Sequence, residues 1–285
     1  MTLPNTFAQV PFGKRQLDLC QVHVMGVLNV TPDSFSDGGQ FNERDAALRQ
    51  AEQMLASGAS IIDVGGESTR PGAAPVSLEE EMDRVCPVVE ALIDQLDACV
   101  SVDTSSPVLM REAISLGVGM INDVRAFRRD GAMAAVASAQ DVALCVMHMQ
   151  GEPDTMQQNP SYRALINDVA SFLESRCESL LQAGVDRQRI VLDPGFGFGK
   201  TLTHNLLMLG RFNEFLSLGY PLLAGLSRKS MFGALLDKPV EERMIASVVG
   251  AGLAAEKGAS IVRVHDVEQT MDAVRLVNAL RNLEN

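Results

Sequence analysis

Tryptophan is absent from this chain, and the 14 methionines supply flexible apolar volume to the core instead. Positive charge is scarce as well. The 24 Lys and Arg against 36 Asp and Glu leave a net charge of −12, which argues against wrapping nucleic acid or lying on an anionic membrane. No apolar run approaches the roughly 18 residues of a spanning helix, and the N-terminus has no basic stretch followed by an apolar one, as a signal peptide would. The five cysteines (Cys20, Cys86, Cys99, Cys145 and Cys177) are odd in number and far apart. They make no zinc spacing, with or without His148 and His265. Cys86, Cys99 and Cys145 have apolar neighbours and read as buried thiols, so the expectation is a reduced, cytoplasmic protein. No Gly-x-Ser-x-Gly elbow is present. GFGFGKT at 195–201 looks like a phosphate loop, but Pro194 stands where the first glycine belongs. The dinucleotide pattern fails too, since Lys200 occupies its last position. These glycines read as places where the backbone lies close to a ligand or an aromatic ring.

What is present is an alternation. With 46% hydrophobic and 21% charged residues, the composition is that of a soluble globular chain long enough for a full core. Residues 5–20 suggest a small hairpin. Short apolar runs then alternate with helical periodicity. Strands are expected at 24–30, 60–66, 98–104, 119–124, 142–149, 189–195, 221–229 and 260–266. Helices are expected at 45–58, 77–96, 107–117, 131–140, 162–184, 204–219, 240–258 and 267–284. Ser77 caps an acidic first turn, and Pro107 opens the third helix. Strands that are continuously apolar are buried on both faces, as in a parallel sheet wrapped by helices. Eight such units fit an α/β fold of the TIM (β/α)8 barrel type, one domain over 1–285. A doubly wound open sheet is the rival, though it usually has fewer strands.

Catalytic groups of a barrel lie where its strands end. Here those ends carry Asn29 and Asp33; Asp63 with Glu67, Ser68, Thr69 and Arg70; Asp103; Asn122 and Asp123; His148; Asp193; Ser227, Arg228 and Lys229; and Arg263 and His265. Polar groups inside strands are costly in a dry core, and a pocket at one end accounts for all of them together. Asp63, Asp103, Asn122 and Asp193 suit a flat heterocycle rich in N–H groups. Arg70, Arg228, Lys229, Arg263 and His265 form a cationic cluster suited to phosphate or pyrophosphate. Asn29 could lend a carbonyl oxygen to Mg²⁺ riding on that anion. Structural roles compete with these. Asp63 and Asp123 could pair with Arg70 or Arg125, His148 could be a satisfied core histidine, and Asp193 could serve a turn.

Eight motifs in order, VMGVLNVTPDSFSDGG (24–39), DVGGESTRPGA (63–73), SVDTSSP (101–107), INDV (121–124), MHMQG (147–151), DPGFGFGK (193–200), GLSRKSM (225–231) and RVHDV (263–267), resemble the bacterial dihydropteroate synthases. The resemblance runs from about residue 22 to 283. It implies a homodimeric barrel that joins 6-hydroxymethyl-7,8-dihydropterin pyrophosphate to 4-aminobenzoate, giving 7,8-dihydropteroate and pyrophosphate. It further implies pterin contacts from Thr69, Asp103, Asn122, Asp193 and Lys229. Asn29 would meet Mg²⁺ and the anion, with Arg70, Arg263 and His265 around that anion. The loops at 31–39 and 67–72, with Ser230, would shape an aminobenzoate pocket open to sulfonamides, Asp33 and Phe35 facing that substrate. Asn29, Asp33, Asp103, Asp193 and Lys229 are the residues expected to act in catalysis. A pterin-binding methyltransferase would share the Asp and Asn residues but has no use for the cations, and a silent pterin-binding module would not keep the full set.

Overall fold

The computed structural model describes residues 9–31, 40–67, 76–152 and 155–283. Two short antiparallel strands, β1 (Gln9–Phe12) and β2 (Arg15–Asp18), form the expected N-terminal hairpin, turning at Gly13 with φ +62°. The rest alternates strand and helix: β3 (His23–Asn29), α1 (Gln40–Ala56), β4 (Ile61–Gly65), α2 (Leu78–Leu96), β5 (Val100–Asp103), α3 (Pro107–Leu116), β6 (Met120–Asp123), α4 (Ala132–Ala137), β7 (Ala143–Met147), α5 (Leu165–Gln182), β8 (Ile190–Asp193), α6 (Leu202–Gly210), β9 (Leu222–Ala224), α7 (Ser230–Leu236), α8 (Met244–Glu256), β10 (Ala259–Val264) and α9 (Val267–Leu283). Strands β3 to β10 run parallel and close into a barrel in sequence order, β10 pairing with β3. The eight-stranded α/β barrel is therefore the fold of this chain.

The strands are buried on both faces for separate reasons. Outward residues such as Val64, Val102, Leu144, Leu192 and Val262 join the core beneath the helices. Inward residues near the strand starts, among them Met25, Ile61, Met120, Val191 and Ile261, pack with Val10, Phe12, Leu17 and Leu19 of the hairpin. The hairpin thus plugs the N-terminal end of the barrel. Phe12 fits only because Gly119 has no side chain: a Cβ there would lie 1.9 Å from the Phe12 ring.

Three helices, α2, α3 and α6, start where side-chain caps place them. Ser77 and Glu80 make a reciprocal capping box on α2, and Ser106 caps α3 ahead of Pro107. Several boundaries differ from the sequence reading, among them α1, which starts at Gln40 and not at 45, and α8, which starts at Met244 and not at 240. The helix expected at 204–219 begins earlier and breaks after Gly210 into a 3-10 segment, Phe212–Leu218. The Asp168 carboxylate takes the Arg163 and Ala164 N–H groups, which delays α5 to Leu165. The seven-residue α7 was not anticipated, being too short and too close to a loop to show a periodic stripe. Among the described residues no helix is long and apolar enough to cross a membrane.

Candidate active site

With one end of the barrel closed by the hairpin, the polar strand ends gather at the other. Side-chain alternation decides which residues reach the interior. On β4, Ile61, Asp63 and Gly65 point inward, and register carries that parity from strand to strand. Gly65 lies beside both Asn29 and Asp103, Asp103 beside Asn122, and Met147 beside Asp193. The inner surface is apolar near the hairpin and turns polar within one or two residues.

At the centre stands Arg263. Its Nε donates to Asp63 Oδ2 at 2.6 Å and its Nη2 to Asp103 Oδ2 at 2.9 Å. Asp63 is fully buried, while the Arg263 side chain is 22% exposed. Burial is the main force raising the Asp103 carboxyl, to about 7, with Arg263 pulling it down and Asp63 pushing it further up. Asp63 Oδ1 and the neighbouring Ser101 hydroxyl are buried with no protein partner. Arg263 was expected beside His265, around an anion. Two of its donors are instead committed to carboxylates, and Asp63 is paired with Arg263.

Asn122 and Asp193 are buried along the same wall. Burial raises the Asp193 carboxyl, against the Gly195 N–H, which it accepts at 2.7 Å, and the cations Lys229, Lys200 and Arg263. Beside them Val124, Met147, Met149, Met156 and Phe198 make a small apolar cluster. Acceptors at the edge and an apolar surface along the side are what a flat, N–H-rich ring requires.

The cations occupy the exits of β9 and β10. Lys229 precedes α7, and its Nζ lies 4.2 Å from the centre of the Phe198 ring. Ser230, the first residue of α7, is exposed. The Ser227 hydroxyl accepts the His265 backbone N–H at 3.0 Å and bonds its Nδ1 at 3.0 Å, holding the imidazole at the rim. Arg228 departs from the expected cluster. Its guanidinium makes a two-pronged pair with Asp266 at 3.0 and 2.6 Å, tying the β9 exit to the β10 exit. Asp123 departs also: it accepts Arg125 N–H, Phe127 N–H and the Ser105 hydroxyl. It braces the turn in which Ala126 and Phe127 take positive φ, which is a structural task.

Asn29 ends β3, half-buried. A Cβ built on Gly65 would sit 3.9 Å from Asn29 Oδ1 and 3.8 Å from Asp103 Cβ, so the glycine leaves a shallow cradle between the two. One neutral amide oxygen beside a carboxylate is a hard, sparse donor set, which fits Mg²⁺ carried largely by phosphate oxygens. Among the described residues no group of three His, Cys, Asp or Glu forms a metal cage. Asp33, Thr69 and Arg70 lie outside the described residues, as do Phe35, Ser68 and nearly all of both loops expected to cover the site.

Sequence reasoning missed the supports of this wall. The glycines at 195, 197 and 199 have φ of +74°, +79° and +64°. They were expected to approach a ligand or an aromatic ring. Gly195 and Gly199 instead approach the β7 exit, where an added Cβ would lie 1.9 Å from His148 O and 2.6 Å from Gln150 O. Buried Lys200 donates to Gly195 O at 2.8 Å, Phe198 O at 3.1 Å and His148 Nδ1 at 2.9 Å. Burial and then Lys200 press the His148 imidazole down to about 2, so it stays neutral and accepts. The only hint in the sequence was a lysine after a glycine run whose phosphate-loop pattern fails.

Comparison with known proteins gives the family of this chain. The family model described as pterin binding enzyme matches residues 25–265. A dihydropteroate synthase of Haemophilus influenzae is 52% identical over 266 residues, covering 93% of this chain and 96% of that one. The dihydropteroate synthase of Yersinia pestis, solved with a sulfonamide drug complex, superposes with a TM-score of 0.91 at 48% identity, covering 96% and 99% of the two chains. That of Burkholderia cenocepacia, solved with 7,8-dihydropteroate, gives 0.88 at 46%, covering 100% and 99%. On this agreement of sequence and barrel, the chain belongs to the pterin-binding enzymes, among the bacterial dihydropteroate synthases.

Proposed function

We propose that this chain joins 6-hydroxymethyl-7,8-dihydropterin pyrophosphate to 4-aminobenzoate, forming 7,8-dihydropteroate and releasing pyrophosphate. The observation that carries the proposal is one barrel end holding both halves of the chemistry. Asp103, Asn122 and Asp193 line an apolar-flanked wall on β5, β6 and β8, and Lys229, Arg263 and His265 stand at the neighbouring exits. A relative solved with 7,8-dihydropteroate and another with a sulfonamide support it.

In this reading the carboxylates and Asn122 accept and donate along the pterin edge. The C–O bond to pyrophosphate breaks, and the ring delocalises the charge left on the exocyclic methylene. The arylamine lone pair then forms the C–N bond, and the amine proton leaves to solvent or to the departing anion. Asp193 and Asp103 favour the pterin cation, while His265 and Arg70 meet the charge that grows on the anion. Arg263 serves mainly to hold Asp63 and Asp103 in register, its exposed flank turned to the site. Asn29 would hold Mg²⁺ together with phosphate oxygens, and bound Mg²⁺ would supply Lewis-acid stabilisation of the leaving group. Thr69 would touch the pterin, and Asp33 and Ser230 would serve the second-substrate side.

Two further features belong to the proposal. A homodimer is supported by the apolar stripe of Ile245, Val249 and Leu253 on α8 with Leu276 and Leu280 on α9, all exposed. A cytoplasmic, reducing setting suits its free thiols.

The test is purified protein with the pterin pyrophosphate and 4-aminobenzoate, with and without Mg²⁺, followed by chromatography of the product. Mg²⁺-dependent dihydropteroate formation, blocked by a sulfonamide, is expected. Saturable pterin binding with no product would refute the proposal. For the metal, Asn29→Ala should weaken Mg²⁺-dependent pyrophosphate binding in calorimetry with little change in melting. Unchanged binding would remove Asn29 from that role.

A further inference from the structure

We infer that Lys200 is the positioning residue of this site, the clamp that holds the 195–199 loop in the one shape that presents Asp193 and Lys229 together. The inference rests on the proposed function, in which those two residues hold the pterin.

Three glycines in left-handed conformation make this loop compact and leave its carbonyls turned in several directions. Each carbonyl then needs a donor. Gln157 Nε2 serves Gly197 O, Tyr162 hydroxyl serves Gly199 O, and Asn205 Nδ2 serves Lys200 O. Of the others, Gly195 O and Phe198 O are both served by the Lys200 ammonium, whose third N–H goes to His148 Nδ1; Gly195 O also accepts the Phe198 N–H at 3.3 Å. Three donors meet three acceptors in a pocket where Lys200 is only 3% exposed. Among the described residues no carboxylate touches it, and its partners there are the two loop carbonyls and a ring nitrogen at the β7 exit.

Those two carbonyls flank the groups that matter. Gly195 N–H donates to Asp193 Oδ1 at 2.7 Å, and the Phe198 ring carries the Lys229 ammonium at 4.2 Å. A Cβ on Gly197 would meet the Lys229 stem at 3.1 Å, so the loop is also the surface along which that stem lies. Lys200 therefore grips the loop at one end by the Asp193 contact and at the other by the Lys229 contact. Burial brings the Lys200 ammonium itself down to about 7, and in its charged form it favours ionised Asp193. Arg189 supplies an internal comparison. It is a buried cation donating to the Val136, Val142 and Ala137 carbonyls, but at the opposite end of β8, away from the rim.

The experiment compares the whole protein with Lys200→Met and Arg189→Met, measuring melting, kcat and the KM of each substrate. Lys200→Met should raise the KM for the pterin pyrophosphate by about 10–100-fold, the cost of displacing a positioned group by about an ångström, with a smaller change for 4-aminobenzoate. Arg189→Met should lower the melting temperature and leave both KM values in place. If Lys200→Met melts lower but keeps the wild-type KM values, Lys200 is a structural cation like Arg189 and the inference is wrong. Should Lys200→Met fail to fold, His148→Leu decides. It removes one acceptor, so a raised pterin KM supports the clamp and an unchanged one overturns it. A wild-type protein that makes no dihydropteroate overturns the proposed function and the clamp with it. An active wild type beside kinetically silent variants overturns the clamp alone.

Discussion

Replacing Arg263 with methionine keeps most of the side-chain volume and removes one charge from between two carboxylates. Asp63 is fully buried and Asp103 nearly so, at 14% side-chain exposure. Deleting one partner of a buried ion pair costs about 3–5 kcal/mol, because the other charge is left uncompensated. Unfolding entropy of about 2.1 cal/mol/K per residue gives roughly 0.6 kcal/mol/K for a chain of 285 residues. The expected fall in melting temperature is therefore about 5–8 °C at pH 8. The pH dependence identifies the cause. With Arg263 present, burial already raises Asp103 to about 7, and without the cation that carboxyl rises further. A carboxyl whose folded pKa lies above its unfolded value of about 4 binds protons preferentially in the folded state. Its penalty is full above the folded pKa and shrinks as pH falls toward 4. The deficit of Arg263→Met should accordingly be largest at pH 8 and clearly smaller at pH 5, by calorimetry in matched buffers. Adding Asp63→Asn should recover part of the pH 8 loss while leaving turnover impaired. An equal deficit at both pH values, or a double variant less stable than the single one, would refute the buried-charge reasoning.

Gly119→Ala forces a methyl into the Phe12 ring at 1.9 Å; it should destabilise the protein by about 1–3 kcal/mol in denaturant melts, and Phe12→Ala should relieve the clash while adding its own cavity cost. Neither should alter KM, since both lie at the hairpin end. Ser227→Ala removes the hydroxyl that orients His265, worth about 1 kcal/mol or roughly fivefold; inhibition by added pyrophosphate should weaken by that factor with melting almost unchanged. Val249→Glu places a charge on the exposed α8 stripe and should give a monomer in sedimentation at concentrations where the parent chain sediments as a dimer.

Much of the barrel was legible because its signal is local. Each barrel strand is a run of three to seven residues, buried throughout or nearly so, and polar residues follow soon after most of them. Helices with strong caps, such as α2 and α3, were placed to within a residue or two. What stayed hidden depends on register and on distance along the chain. Arg263 meets a carboxylate 200 residues away and another 160 away, and nothing in its own neighbourhood favours these over an anion. Arg228 and Asp123 looked like site residues because they stand at strand ends, and only their partners Asp266 and Ser105 reveal the bracing task. Lys200 was hidden by resemblance to a motif that it fails.

Strand parity ties these observations into one argument. On each strand the inward face holds both the apolar layer above the hairpin and the polar layer of the rim, as in Ile61 followed by Asp63 on β4. A slip of one residue would turn Asp63 outward into the helix-packed core and Val64 inward. Such a slip would bury a carboxylate without Arg263, so the Asp63–Arg263–Asp103 bridge penalises the wrong register as well as building the right site. The bridge is an expensive way to stabilise a barrel, since well-packed apolar residues of similar volume commonly do as well or better. Its value lies in fixing β4, β5 and β10 relative to one another at the level where Asp103 must face Asn122 across the β5–β6 pairing.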